Sequence, residues 1–533
     1  MRSLLVLVRH DLRRDRWMIL WWCVGGALLY WSQAYGVVGA YTSQAQFSRM
    51  AVAVEDNAAF IAMLGPARAL DTVGGQVAWQ ATAFGAIVAG LMSMFIVGRH
   101  TRAEEESGRD ELVRSLEVTR RAPLTAALLV ALLANVVLGA VVSAALIAYR
   151  PADPVLAGLP LPVTDSVATG VGVTLVGWVF SATALVAAQL TQSTRGMYGI
   201  AGVVIGASYG LRAVGDVGNH ALSWIGPIGW YQAMHPYSGL RWWPVLLMLA
   251  AALVATVAAY VVFERRDFAS GVLADRPGPA DAGAGLRSGI GLAWRLQRGA
   301  VVGWTVGLVF TGLAYGSIGD SVKELLGNSD FARAMGAGVT DNLVDGFYAT
   351  ANVMIALVAC GFAISSALRP RAEEESGHAE ALIATGLSRG TWLAGHVLVT
   401  VAGTAVVLLA GGFAMGAAYA ATTGDGGAVL RLGPPVLAYV APVLVLSGVA
   451  RLLFGLAPRL LVVAWLPLVF ATAVLVFGDI LRIPQWVRDI SPFQHVPLVP
   501  AQDFALLPVA VIAAVAAALS VAGQFAFRQR DIG

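Results

Sequence analysis

The sequence predicts an all-α polytopic membrane protein with twelve transmembrane helices, arranged as two parallel six-helix repeats with pseudo-two-fold symmetry. Three observations predict this fold: the composition, twelve long apolar runs and a motif that occurs twice. Of the 533 residues, 58% are hydrophobic and only 13% are charged, and the mean hydropathy is +0.72. A soluble domain carries about 25% charged residues, so most of this surface faces something other than water.

The apolar runs are long enough to cross a bilayer, which takes about 20 residues of helix. They are continuously apolar with no period of two, which excludes a transmembrane β-barrel. The predicted spans are 17–40, 77–98, 124–147, 166–190, 197–214, 244–263, 300–318, 346–368, 391–419, 435–455, 459–478 and 504–525.

The basic residues predict the orientation, because cytoplasmic loops are enriched in arginine and lysine. Arginines concentrate before the first span and after the second, sixth and eighth spans. We therefore expect a multi-pass protein of the bacterial cell (plasma) membrane with both termini in the cytoplasm. The segments on the opposite side are expected to form interfacial helices or caps; they are 42–76, 215–243, 319–345 and 479–503.

The sequence contains an internal repeat. Arg102-Ala-Glu-Glu-Glu-Ser-Gly108 recurs letter for letter as Arg371-Ala-Glu-Glu-Glu-Ser-Gly377, each time after the second span of a half. The ends of the two halves also echo each other, as Phe263-Glu-Arg-Arg-Asp267 and Phe527-Arg-Gln-Arg-Asp531. The repeat predicts a first six-span half, 1–270, a cytoplasmic Pro/Gly linker, 271–285, and a second half, 286–533. Basic amphipathic pieces, 2–16 and 286–298, are predicted as elbow helices at the membrane surface.

Two features that the sequence lacks indicate how transport would be powered. No Asp or Glu lies inside a predicted span, which argues against ion-coupled transport, since that needs ionisable groups within the membrane. A phosphate-binding loop needs Gly-Lys-Ser/Thr, but the single lysine, Lys323, is followed by Glu324. The chain is therefore predicted to be a non-catalytic subunit that binds no metal or cofactor. No basic block with interleaved aromatics occurs, so nucleic acid is not an expected partner.

The repeated motif is the predicted docking point for a partner that supplies energy. We expect helices over about 102–121 and 371–389. Glu104 to Glu106 would lie in a first helical turn, where the helix dipole favours carboxylates. Glu105 and Arg109 would pair at i,i+4. A solvated helix decorated with charges is the simpler reading of one copy, but two identical copies at equivalent positions favour a repeated contact.

With this motif the chain resembles the type-2 ABC exporter permeases, in particular the fused twelve-span branch of tetronasin-type polyketide-antibiotic and multidrug exporters of actinobacteria. The resemblance implies that each copy is a coupling helix seated on a separately encoded ATPase. Two ATPase copies, carrying ATP and Mg, would complete a heterotrimer that extrudes hydrophobic antibiotics or drugs by alternating access. The coupling candidates are Glu104, Glu105, Glu106, Arg109, Glu373, Glu374, Glu375 and His378. Because His378 replaces Arg109 and the second copy carries fewer charges, we hypothesise that the two ATPases are held with unequal strength.

In that family the second and fifth spans of each half line the cargo cavity. The corresponding candidates here are Trp79, Phe84, Met92, Phe95, Tyr198, Tyr209, Tyr348, Met354, Phe362, Trp465 and Phe470. Most membrane aromatics simply pack or face lipid, so we expect only some of these to touch a hydrophobic small molecule. Two other functions remain open: an ABC permease for a native lipid or envelope precursor, and a non-transporting membrane scaffold or sensor.

Overall fold

The computed structural model divides the chain into two compact units, Met1–Pro277 and Gly278–Gly533. The division falls inside the predicted linker. The residues described are 2–41, 43–55, 58–115, 118–151, 156–267, 271–273, 280–281, 283–318, 343–477 and 483–530. Lys323, Glu324, most of the predicted cap 319–345 and part of the linker lie outside the described residues.

The described residues of the first unit form helices joined by loops, with no β-strand. Its helices are α1 (Arg2–Ala40), α2 (Gln44–Glu55), α3 (Ala58–Leu64), α4 (Val73–His100), α5 (Arg102–Glu106), α6 (Arg109–Arg114), α7 (Ala122–Ala148), α8 (Val163–Leu190), α9 (Thr194–Val217), α10 (Pro227–Gln232) and α11 (Trp243–Arg265), with a 3₁₀ turn at Leu222–Ile225.

The second unit is built in the same way. Its helices are α12 (Gly289–Gly316), α13 (Leu343–Glu375), α14 (His378–Ala384), α15 (Arg389–Thr423), α16 (Ala428–Leu432), α17 (Val440–Leu456), α18 (Leu466–Phe477), α19 (Gln485–Arg488) and α20 (Leu506–Gln529). Short 3₁₀ helices lie at Ala284–Arg287, Pro434–Tyr439, Pro458–Trp465 and Pro492–His495.

The prediction of a polytopic α-helical membrane protein is confirmed. Within the described residues, eleven helical stretches are long and apolar enough to cross a membrane, and they overlap the second to twelfth predicted spans. The first predicted span, 17–40, lies in α1 but is not among the eleven. Its many tryptophans and tyrosines lower the hydropathy because each carries a polar group. Its crossing of the membrane therefore stays a prediction.

Two predicted boundaries differ from the structure. Residues 2–16 continue without a break into 17–40 as the single 39-residue helix α1, so the first elbow is not a separate element. Residues 289–298 likewise open α12, which begins where the side chain of Ser288 accepts a hydrogen bond from the backbone N–H of Gly291 (3.1 Å). Neither junction contains proline, the residue that most strongly breaks a helix.

The helices pack in the same pattern within each unit. In the first unit the most extensive pairing is α7 with α8, which is much smaller between the equivalent helices α15 and α17. Five other pairings recur: α1 with α7, α8 with α11, α4 with α8, α1 with α4, and α4 with α7. The equivalent helices of the second unit make the same pairings: α12 with α15, α17 with α20, α13 with α17, α12 with α13, and α13 with α15. The sequence repeat is therefore a repeat of packing as well.

Close approach of α7 and α8 depends on two glycines. A Cβ atom on Gly139 would lie 2.3 Å from the carbonyl oxygen of Gly170, and one on Gly170 would lie 2.2 Å from that of Gly139. In a membrane, hydrophobic burial does not drive helices together, because lipid is as apolar as the side chains. Small residues of this kind instead let the helices approach closely enough to pack.

Candidate functional site

The repeated motif forms the end of a long helix and the turn that follows it. Glu373 to Glu375 are the last three residues of α13, and Glu104 to Glu106 end the equivalent stretch 73–106 of the first unit. Gly108 (φ +70°) and Gly377 (φ +72°) then adopt the left-handed conformation that commonly ends a helix. The N–H of each glycine donates to the carbonyl of the middle glutamate, at 3.2 Å from Glu105 and 3.0 Å from Glu374.

The predicted continuous helices 102–121 and 371–389 are therefore wrong. Each glycine turn separates the motif from a short helix, α6 or α14. In the second unit the three glutamates end α13, whereas in the first unit Glu104 and Glu105 lie in the first turn of the five-residue helix α5, as predicted. Arg109 consequently pairs with Glu104 (3.5 Å) and donates to the hydroxyl of Ser107 (3.0 Å), not with Glu105 as predicted.

Carboxylates at a helix C-terminus face the negative end of the dipole, so they need compensating cations. Glu105 accepts hydrogen bonds from Arg102 (2.6 Å) and from Arg266 (2.6 Å), which follows α11. Glu374 accepts hydrogen bonds from Arg371 (3.3 Å) and from Arg530, which follows α20. The end of the second span is thus tied to the end of the sixth span in both units.

A third arginine completes each cluster. Arg120, just before α7, donates to the carbonyl oxygen of Arg266 (2.7 Å). Arg389, the first residue of α15, donates to the carbonyl oxygen of Arg530 (2.7 Å). We call the group Arg102, Glu105, Arg120 and Arg266 the first clamp, and the group Arg371, Glu374, Arg389 and Arg530 the second clamp.

The central carboxylate of each clamp is shielded from solvent. The side chain of Glu105 is 9% exposed and that of Glu374 is 4% exposed. A buried ion pair stabilises a fold only modestly compared with an apolar pair, but losing one partner is costly because it leaves a buried charge without compensation. The clamps therefore fix the ends of three helices relative to one another.

The first clamp is more fully bonded than the second. Arg266 Nε donates to Gln189 Oε1 (2.8 Å) near the end of α8, and Arg102 Nε donates to the carbonyl oxygen of Ala188. In the second clamp the buried Nε of Arg530 has no hydrogen-bond partner within the part of the chain that the structure describes. Its guanidinium instead lies over the rings of Phe454 (5.2 Å) and Phe527 (5.5 Å).

The turns themselves remain open to solvent. Glu106, Arg109, Glu375 and His378 are exposed, whereas Glu373 and Glu374 are buried. Glu106 also accepts a hydrogen bond from the backbone N–H of Thr194 (2.9 Å), the first residue of α9. The eight predicted coupling residues thus separate into a buried set that binds the unit together and an exposed set that a partner can reach.

The apolar side of the second short helix faces inward. Leu382 and Leu387 pack against a small buried cluster that contains Trp392, Phe454 and Phe527. In the first copy, the side chains of Leu112 and Val113 and the residues 116–117 lie outside the described part.

Comparison with known proteins gives two findings. The family model described as "Multidrug efflux system permease Rv1217c, C-terminal domain" matches residues 286–528. Over 530 residues the chain is 40% identical to the "Multidrug efflux system permease protein Rv1217c" of Mycobacterium tuberculosis (strain ATCC 25618 / H37Rv), covering 99% of this chain and 94% of that protein.

The chain belongs to the multidrug efflux permease family. The resemblance to actinobacterial multidrug exporter permeases is thereby confirmed. Because the similarity covers nearly the whole chain, both clamps fall within the region shared with the relative.

The cavity candidates of this permease-family chain fall into two groups. Phe84 of α4 contacts Tyr209 of α9 (6.3 Å between ring centroids), and Phe95 contacts Tyr198 (5.5 Å), so two aromatic pairs join the second and fifth spans. Phe95 and Trp465 are each 37% exposed. Phe470 and Met354 are partly buried.

The other candidates are buried. Trp79 donates from its indole N–H to the carbonyl oxygen of Gly65 (2.8 Å), and Tyr348 packs edge-on against Tyr419. Met92 and Phe362 are fully buried. A side chain in this group reaches a ligand only if the helices around it move, so the expectation that some of the eleven residues touch cargo stays a prediction.

Sequence reasoning did not assign Arg120, Arg266, Arg389, Arg530 or Gln189 to a site. One signal was present. Arg120 and Arg389 are 269 positions apart (389 − 120), as are Glu105 and Glu374 (374 − 105), and Arg266 and Arg530 sit within the echoed segments 263–267 and 527–531. Nothing in the sequence showed that these separate echoes meet in space.

Proposed function

We propose that this chain is the membrane-spanning permease subunit of an ATP-driven multidrug exporter that extrudes hydrophobic antibiotics or drugs. Membership of the multidrug efflux permease family and the eleven membrane-length helices support a transport role. The chain itself carries no Gly-Lys-Ser/Thr phosphate-binding sequence. ATP and Mg would therefore be bound by a separate ATPase, and the duplicated motif calls for two copies of it.

The observation that carries the proposal is the duplicated clamp behind an exposed turn. In this mechanism the ATPase pushes on the turns at Glu106 to Arg109 and Glu375 to His378. Each clamp passes the push to the sixth span through Arg266 or Arg530, and to the third span through Arg120 or Arg389. The buried ion pairs make each cluster stiff, so the helix ends move together and do not bend separately.

Because the exposed turns and the buried clamps have different roles in this mechanism, their substitution should cause two different defects. Substituting an exposed turn residue should weaken ATPase binding and leave the permease folded. Substituting a buried clamp residue should leave the turn's surface intact, while ATP hydrolysis no longer responds to cargo. The buried Glu105 and Glu374 are thus expected to transmit movement, and Arg109 and His378 to make contact.

The test uses the permease purified together with the ATPase encoded beside it, reconstituted in nanodiscs. ATP hydrolysis is measured across a panel of hydrophobic antibiotics and lipids. We expect wild-type hydrolysis to rise with a cargo compound. The double variant Arg109→Glu/His378→Glu should lose ATPase binding, while the matched control Arg49→Glu, an exposed arginine of α2, should keep it.

The alternatives are outcomes of the same experiment. Stimulation only by lipids would make this a permease for a native lipid or envelope precursor. A tight complex whose hydrolysis ignores every compound, and whose assembly ignores the turn variants, would contradict the exporter proposal and favour a scaffold or sensor.

A further inference from the structure

A polar cleft lies at the other end of the first unit from the first clamp. The 28 residues of α4 run between the two places, which is about 40 Å of helix. The cleft has a volume of 330 Å³ and is lined by residues of the 64–68 segment, the end of α9 and the segment 220–241. We name it the distal cleft. Its size falls within the usual range of small-molecule pockets, about 300–1,000 Å³.

The distal cleft holds an excess of positive charge. Arg68 is half-buried and Arg241 is exposed, and both line it together with His235. Within the described residues, neither guanidinium has a salt bridge to a carboxylate. Asp216 is the one acid among the lining residues, and it is already engaged, accepting hydrogen bonds from Ser223 Oγ (2.6 Å) and Arg212 (3.4 Å).

The walls of the cleft are held in place. His235 has a φ of +52°, and its turn is closed by a hydrogen bond from the N–H of Arg241 to the carbonyl of Met234 (2.7 Å). The N–H of Tyr237 donates to Asp165 (2.7 Å) at the start of α8. Gln232 donates to the carbonyl of Leu64 (2.9 Å), which joins the segment before Arg68 to α10. The cationic groups are therefore presented on an ordered frame.

The electrostatic consequence shows at His235. Burial lowers the pKa of this imidazole to about 4, and Arg68 and Arg241 act on it in the same direction. Burial also lowers the pKa of Arg68. Asp216 opposes this effect on Arg68, but it forms a salt bridge with neither Arg68 nor Arg241. Two arginines that share one cleft with a single carboxylate, itself bonded to Arg212, are stabilised by an anion that brings further negative charge.

In the second unit the sequence that corresponds to segment 232–241 lacks the charges of that segment. Gly226-Pro227 and Ser491-Pro492 are 265 positions apart (491 − 226). At that offset Gln232, His235 and Arg241 correspond to Pro497, Pro500 and Leu506. Arg68 corresponds at the same offset (333 − 68) to Arg333, which lies outside the described residues. The charges at His235 and Arg241 are thus particular to the first unit, so the repeated packing does not require them.

We propose that the distal cleft is a binding site for the acidic head group, a phosphate or carboxylate, of an amphipathic molecule. Arg68 and Arg241 bind the acid. The ring of Trp224 and the proline Pro66, which also line the cleft, contact the first carbons attached to it. The occupant is either an acidic membrane lipid or an acidic amphiphile free in solution.

The test measures binding of radiolabelled dodecyl phosphate to the purified full-length chain in phosphatidylcholine nanodiscs. Dodecylphosphocholine is the matched ligand, because it has the same chain and phosphate but no net charge. We expect saturable binding of dodecyl phosphate alone. The double variant Arg68→Gln/Arg241→Gln should weaken it about tenfold or more, since each arginine–phosphate contact is a charge-assisted hydrogen bond.

Arg49→Gln is the matched control, because Arg49 is an exposed arginine of α2 that does not line the cleft. Arg241→Gln and the charge-retaining Arg68→Lys are measured as well, so that poor folding of the double variant would not decide the result. Equal affinity for the two ligands, or unchanged affinity in Arg241→Gln and in the double variant, would overturn the proposal.

Two competition experiments distinguish a membrane lipid from a dissolved acid as the occupant of the distal cleft. Loss of dodecyl phosphate binding in nanodiscs that contain phosphatidylglycerol identifies a lipid head group. Retention of binding there, with competition by inorganic phosphate, identifies an acid from solution. Neither arm involves an ATPase or transport, so this proposal and the exporter proposal can fail separately.

Discussion

Glu105 and Arg266 are 161 residues apart in sequence, and 2.6 Å separates their carboxylate oxygen and guanidinium nitrogen. Glu374 and Arg530 form the equivalent pair in the second unit. Each pair joins the end of a second span to the end of a sixth span. The duplicated motif therefore marks an internal contact as well as the exposed turn beside it.

The first prediction concerns this pair. Arg266→Gln should destabilise the protein because it leaves the buried carboxylate of Glu105 with Arg102 as its main partner. In a double-mutant cycle with Glu105→Gln, we expect a coupling energy of about 2 kcal/mol, within the usual range for residues in one network. Thermal unfolding of the four proteins in detergent measures it. Strictly additive effects would show that the two side chains do not interact.

The second prediction concerns the difference between the clamps. Gln189→Met removes the side-chain oxygen that accepts the hydrogen bond from Arg266 Nε. The first clamp then resembles the second, in which Arg530 Nε has no hydrogen-bond partner among the described residues. We expect a loss of about 1–3 kcal/mol in the free energy of unfolding, the cost of leaving a buried donor unsatisfied. Gln494→Met is the control, since Gln494 is exposed and belongs to neither clamp.

The same variant bears on the hypothesis that the two ATPases are held unequally. If the clamp strengths set the difference, Gln189→Met should make the responses to Arg109→Glu and His378→Glu more alike, as measured by ATPase co-purification. A wild-type protein in which the two single variants already lose ATPase equally would count against unequal binding.

The third prediction concerns the close contact of α7 and α8. Gly139→Ala should destabilise the first unit by about 1–3 kcal/mol, the usual cost of overpacking, because the new methyl group meets the carbonyl oxygen of Gly170 at 2.3 Å. Gly206→Ala is the control: Gly206 also lies in a membrane-length helix, α9, and a Cβ there has nothing within 4 Å. Equal melting temperatures for the two variants would contradict the packing argument.

The fourth prediction concerns pH. Burial, with Arg68 and Arg241, lowers the pKa of His235 from 6.5 to about 4. Between these values the unfolded chain binds a proton that the folded chain does not, so stability falls as the pH falls through this window. His235→Gln should make the melting temperature less dependent on pH between 6.5 and about 4. His220→Gln, a change at an exposed neighbour, should leave that dependence as it is in the wild type.

How far the sequence predicts the site can be judged from its individual residues. The motif, its duplication and its place after the second span could all be recognised in the sequence. The helix breaks at Gly108 and Gly377 could not be predicted, because a glycine can either continue a helix or end it in the left-handed conformation. The partners of Glu105 were not readable either, since no local pattern links it to a residue 161 positions away.

The sequence alone determined the class of protein and its repeat. Apolar runs of membrane length become helices because lipid offers no hydrogen-bond partner to an open backbone, and this constraint is local. The tertiary structure decided which charges meet, which of the predicted coupling residues are buried, and where uncompensated arginines collect. Those features depend on helix ends that are distant in the chain being brought together by packing, which no single segment encodes.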